Sequence, residues 1–315
     1  MKKRIWYNLN VHIEIMVEKE SGFMTYEEQK EKLKPIIQEL NFIPNGEFIP
    51  SAWEAPEGYH FERFNVGNVP VEHLIPEKKN GKVIYQLHGG GYVVALSDLY
   101  RDTAIRYSQL AGGAEVYSID YRVAPTNVFP AALDDAVLVY KWLLEQGHKS
   151  EDILFVGDSA GGNLVLTTTL YARDNSMPLP KGIIAISPWA YIETNKVSVE
   201  ENEDLDLILG SSGIVIRQEV KFSRYFEGKD LKNPYVSPAY ADFTGFPSML
   251  IQTGSYEVLR DDSFMVAKAC KEAGVDVTQT TYEGQSHVFQ IIFPEDEIAM
   301  KAWAEMKEFV ERIFK

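Results

Sequence analysis

The chain alternates between short, nearly unbroken apolar runs and longer stretches with helical spacing. Val83-Ile84-Tyr85-Gln86-Leu87 predicts a strand ending at His88, and residues 99–110 predict a helix stopping at Gly112-Gly113. Residues 114–119 are strand-like. Pro130 opens a helix that runs to Gly147, since proline suits a first turn and glycine follows a last one. Ile153-Leu154-Phe155-Val156 predicts another strand, followed by a helix over 160–172. Further strands are expected at 183–186, 249–251 and 277–282. The chain closes on an amphipathic helix through Ile298, Ala302, Met306, Phe309 and Ile313. Apolar strands separated by helices mean a mostly parallel sheet covered on both faces.

Two segments depart from this rhythm. Before residue 60 there is one helical signal. Thr25-Tyr26-Glu27-Glu28 reads as a capping box, after which Leu33, Ile36, Ile37 and Leu40 share a face. Pro35 predicts a kink or break there. The second segment, about 191–235, carries the acidic run Glu200, Glu201, Glu203, Asp204 and Asp206, expected to be a solvated helix face. Its place between two core strands suggests an insertion over the C-terminal edge of the sheet, where α/β proteins place their sites.

Charge and composition narrow the function. Of the 315 residues 45% are apolar, enough for a large core in a single domain. Lys plus Arg number 31 against 46 Asp plus Glu, a formal net charge of −15. Such a surface repels nucleic acid and anionic lipid headgroups, and admits neutral or cationic substrates more easily. The single cysteine, Cys270, excludes an internal disulfide and reads as a small buried helix residue. Met1-Lys2-Lys3-Arg4 begins like a signal peptide, but polar residues at Asn8, Asn10, His12 and Glu14 follow. No run approaches the length of a spanning helix, and a cytoplasmic location is expected.

Gly157-Asp158-Ser159-Ala160-Gly161 fits Gly-x-Ser-x-Gly between an expected strand and an expected helix. A serine hydroxyl attacks only when a base takes its proton and a tight strand-to-helix turn holds it clear of its neighbours. His88-Gly89-Gly90-Gly91-Tyr92 follows the first core strand. Consecutive glycines leave backbone N–H groups free to stabilise a developing oxyanion. Gly90 and Gly91, with Ala160 after the serine, are the candidate donors, and Gly89 is left open. His88 precedes the serine, against the hydrolase order of serine, acid, histidine, and reads as a loop-ordering residue.

Taken with Tyr121-Arg122-Val123-Ala124-Pro125 and Phe129-Pro130-Ala131-Ala132-Leu133-Asp134-Asp135, these motifs resemble the hormone-sensitive lipase-like family of microbial carboxylesterases over about residues 80–290. Thr126 departs from the family, which usually has Glu there. The resemblance implies an α/β-hydrolase fold with a helical cap, built here from about 1–50 and 191–235. It also implies a serine esterase acting on short acyl esters through an acyl-enzyme, with no cofactor or metal, and a homodimer. His287, in Gly284-Gln285-Ser286-His287-Val288-Phe289, matches the family's catalytic histidine, and the other histidines all precede the serine. Glu257, in Ser255-Tyr256-Glu257-Val258-Leu259-Arg260-Asp261-Asp262, stands where the family normally has its catalytic Asp. Asp261, one turn along, is the alternative acid. An amidase or formamidase would share this constellation. A binding protein on the same scaffold would be expected to lack His287.

Overall fold

The computed structural model describes residues 24–39, 52–211 and 224–315. Residues 1–23, 40–51 and 212–223 of the two expected cap segments therefore lie outside the described residues. Helix α1 (Tyr26–Glu39) opens with the reciprocal capping pair. Thr25 N donates to Glu28 Oε2 at 2.6 Å, and Glu28 N donates to Thr25 Oγ1 at 3.3 Å. Of the kink or break expected at Pro35, the break does not occur: the helix runs on to Glu39, because losing one backbone hydrogen bond does not by itself end a helix.

Strands β1 (Tyr59–Val66) and β2 (Val69–Pro76) form a hairpin that the apolar pattern did not announce. Its two-residue turn is Gly67-Asn68, with Gly67 at φ +60°, a conformation only glycine adopts without a side-chain clash. Then follow β3 (Val83–Leu87), α2 (Asp98–Leu110), β4 (Glu115–Ile119), α3 (Ala131–Glu145), β5 (Ile153–Asp158) and α4 (Ala160–Asp174). The chain continues with β6 (Gly182–Ile186), α5 (Val197–Asn202), β7 (Ser248–Gly254) and α6 (Arg260–Glu272). It ends with β8 (Val277–Tyr282), α7 (Phe289–Ile292) and α8 (Glu297–Ile313).

The strands form one sheet in the order β1-β2-β4-β3-β5-β6-β7-β8. Pairing is antiparallel on both sides of β2 and parallel everywhere else. Every residue of β3, β5 and β6 is buried, as strands covered on both faces must be. Alternate residues feed two cores. Tyr85, Leu87, Phe155, Ile183 and Met249 pack with apolar residues of α3, α4 and α6. Ile84, Leu154, Val156, Ile184 and Leu250 pack with those of α2 and α8. Cys270 is the small buried helix residue expected, on α6, and burial pushes its thiol up to about 12.

The acidic run is only partly the solvated face expected of it. Glu200, Glu201, Glu203 and Asp204 are exposed, but Asp206 is fully buried. Helix α5 ends at Asn202, so Asp206 is not on a continued helical face and turns inward.

Candidate active site

Four loops at the C-terminal ends of β3, β5, β7 and β8 converge on one place, as parallel α/β sheets dictate. The first is the turn between β5 and α4, which leaves Ser159 alone between a strand and a helix at φ +52°, ψ −117°. That conformation is costly for a residue with a Cβ and persists only when its surroundings over-determine it. Ser159 N donates to Ile186 O, and Ser159 O accepts from Trp189 N, both at 2.9 Å. The glycines of the pentapeptide follow from crowding. A Cβ on Gly161 would strike Leu87 O and His88 O, and one on Gly157 would strike Gly161 O. Side chains there would push α4 away from the end of β3.

His287 Nε2 lies 2.9 Å from Ser159 Oγ, and His287 Nδ1 lies 3.0 Å from Glu257 Oε2. All three residues are buried. The other Glu257 oxygen, Oε1, accepts from Ser187 Oγ at 2.7 Å and from Gly254 N. Asp261 does not join this chain. Its Oδ2 accepts from Ser198 N at 2.9 Å, and it pairs with Arg260. Burial works to lower the His287 pKa. The hydrogen bond and charge of Glu257, with the charges of Asp206 and Asp158, outweigh it, and the net shift is upward.

Gly90 and Gly91 take φ of +111° and +63°, open to glycine and strained for other residues. Among the described residues no acceptor takes their N–H groups or that of Ala160. Ala160 is the first residue of α4, where a helix leaves its N–H groups unsatisfied and its dipole favours negative charge. Gly89 is different. Its N–H is already given to Tyr100 Oη at 2.9 Å and Asp158 Oδ1 at 3.1 Å. Tyr100 also donates to Asp158 Oδ2 at 2.9 Å, tying the glycine loop to the elbow. Burial raises the Asp158 carboxyl to about 6.

His88 makes no contact with Ser159. It stacks on Tyr121 at 4.1 Å, and its Nδ1 donates to Gly89 O at 2.7 Å. Burial pushes its pKa down to about 4, which keeps it neutral and in its loop. The described residues offer no cluster of side chains suited to a metal ion.

Sequence reasoning did not reach Ser187, which has no motif of its own. Backbone strain marks it. Among the described residues, the non-glycine positions at positive φ are Tyr92, Ser159, Ser176, Ser187 and Val288, and all but Ser176 lie in the glycine loop, at the elbow, or beside Glu257 and His287. Val288 N donates to Ser187 Oγ at 3.3 Å, so the histidine loop and the acid share one hydroxyl.

Comparison with known proteins agrees with the fold. The family described as alpha/beta hydrolase fold matches residues 84–291. An acetyl-hydrolase of Streptomyces hygroscopicus is 35% identical over 229 residues, covering 73% of this chain and 75% of the relative. The crystal structure of a bacterial hormone-sensitive lipase family esterase aligns with a TM-score of 0.76 at 29% identity, over 94% of each chain. The esterase EstE5, soaked with p-nitrophenyl butyrate, aligns with a TM-score of 0.78 at 33% identity, over 91% of this chain and 98% of its own.

Proposed function

Because this chain belongs to the α/β-hydrolase family and is a serine carboxylesterase, we propose that Ser159, His287 and Glu257 are its triad and that it cleaves short-chain acyl esters. The observation that carries the assignment is the unbroken contact from Ser159 Oγ through both nitrogens of His287 to Glu257 Oε2. The short acyl preference draws on the acetyl-hydrolase relative and on the butyrate ester soaked into the aligned esterase.

Neutral His287 takes the Ser159 proton on Nε2 as Oγ attacks the ester carbonyl. Charge moves to the carbonyl oxygen, and the free amides of Gly90, Gly91 and Ala160 stabilise it. Glu257 holds the imidazole in place and balances the imidazolium charge. His287 then protonates the leaving alcohol, and the acyl group stays on Ser159. Water, deprotonated by His287, attacks the acyl carbonyl; the bond to Ser159 Oγ breaks, His287 returns the proton to Oγ, and the acid leaves. No step requires a cofactor.

Above this machinery, we propose that the N-terminal segment and residues 191–235 form the cap. Support comes from Tyr26 Oη, which donates to Asp204 O at 3.0 Å, and from Gln29 Nε2, which donates to Gly284 O at 3.1 Å. No helix of the described residues is long and apolar enough to cross a membrane. A cytoplasmic location accords with the lone buried cysteine. The homodimer follows from the family resemblance, and light scattering of the purified protein reads it directly. A p-nitrophenyl ester series from acetate to palmitate tests the substrate class. The highest kcat/KM belongs to acetate or butyrate, and a maximum at palmitate would overturn the short-chain reading.

A further inference from the structure

Residues 255–258 leave β7 without forming a helix or strand, so no ladder satisfies their backbone groups. Backbone carbonyls of Tyr282, Gln285 and Gly254 accept the N–H groups of Ser255, Tyr256 and Glu257, and side chains from residues 198–206 hold the carbonyls of Ser255, Glu257 and Val258 and the Val258 N–H. Asn202, which is 3% exposed, donates from Nδ2 to Ser255 O at 3.0 Å and to Glu257 O at 2.7 Å. Asp206, which is 0% exposed, accepts the Val258 N–H on Oδ2 at 2.9 Å. Its Oδ1 accepts the Ile208 and Leu209 N–H groups, each at 3.0 Å. Ser198 Oγ donates to Val258 O at 2.8 Å. Burial pushes the Asp206 pKa up and the charge of Glu257 adds to this, while His287 and the N–H groups of Leu209 and Val258 work against it.

We propose that Asn202 and Asp206 are positioning residues for Glu257, fixing the backbone on its two sides so that its carboxylate meets His287. Glu has one more rotatable bond than Asp, so its carboxylate can reach more positions from the same backbone, and a fixed backbone matters more. The proposal rests on Glu257 being the triad acid. A purely structural role, fastening residues 198–206 to the body of the protein, would act independently of Glu257. Positioning would act through it.

The test is a double-mutant cycle on p-nitrophenyl butyrate, run on the alkaline side of the pH profile. Asn202→Ala and Asp206→Asn are each made in the natural chain and in Glu257→Ala. In the natural chain each lowers kcat about tenfold or more with KM within about twofold, and in Glu257→Ala each changes kcat by less than about twofold. Equal losses in both backgrounds, or an unchanged kcat in the natural chain, overturn the proposal. If Glu257→Ala alone keeps the natural kcat, the triad assignment has failed, a result read without touching Asn202 or Asp206. Should Asn202→Ala not fold, the isosteric Asp206→Asn decides through the same cycle. It has a second readout. The carboxylates bearing on His287 are Glu257, Asp206 and Asp158. Removing the Asp206 charge moves the acidic limb of kcat/KM to lower pH, and a limb that stays in place overturns the Asp206 part of the proposal.

Discussion

The Ser187 hydroxyl donates to Glu257 Oε1 at 2.7 Å, on the opposite side of the carboxylate from the oxygen that faces His287. One oxygen is thereby held so that the other can be aimed. Ser187→Ala leaves the Gly254 N–H as the remaining donor to Oε1, so the carboxylate is held less firmly. A hydrogen bond to a charged group contributes about 1.5–3 kcal/mol, so kcat is expected to fall roughly tenfold to a hundredfold. Steady-state kinetics on p-nitrophenyl butyrate check this, and an unchanged kcat contradicts it.

The raised His287 pKa sets the pH dependence. The base works when neutral, so activity is lost as pH falls through the folded-state pKa. That midpoint lies above the ordinary histidine value of about 6.5. Glu257→Gln removes the partner that raises it, so the limb shifts to lower pH. The same substitution lowers kcat by about 10³–10⁴, the scale of losing a triad carboxylate. A kcat/KM profile of both proteins measures the two effects together.

Close packing at the elbow gives a stability prediction. Gly161→Ala drives a methyl group into the backbone oxygens of Leu87 and His88, neither of which can swing away. Overpacking of this kind costs about 1–3 kcal/mol, read as a lower urea midpoint with an unchanged slope. Gly147→Ala serves as the contrast. Nothing lies within 4 Å of its added Cβ, so only its positive φ, +92°, is strained.

A buried ion pair lies beyond the site. Lys196 Nζ meets Asp262 Oδ1, and both side chains are almost fully buried. Asp262 Oδ2 accepts the amides of Ala190 and Tyr191 at 2.9 and 2.8 Å. Burial holds the Asp262 pKa near 6 even with Lys196 beside it. Lys196→Ala strands a buried carboxylate, and the expected loss is about 3–5 kcal/mol in urea unfolding. A loss below about 1 kcal/mol would contradict it.

Much of this architecture was legible in the sequence because its causes are local. Strands buried on both faces read as apolar runs, and α3 is framed by Pro130 and Gly147. The glycines at 157 and 161 announce a close backbone approach. The β1–β2 hairpin escaped because its burial alternates imperfectly, with Glu62 and Arg63 consecutive and exposed on β1. Gly67-Asn68 between two extended runs was the signal available for it. Ser187 and Asp206 escaped for another reason. Their partners, Glu257 and Val258, are distant in sequence, and a polar residue whose partner is remote looks like a surface residue until the fold closes over it.

The central claim is that Ser159 forms the acyl-enzyme. A fluorophosphonate probe, followed by intact-protein and peptide mass spectrometry, tests it most directly. The natural chain should gain a single adduct that maps to Ser159, and Ser159→Ala should gain none and lose ester hydrolysis. An adduct on another residue, or a Ser159→Ala protein that hydrolyses p-nitrophenyl butyrate at the natural rate, would contradict the account.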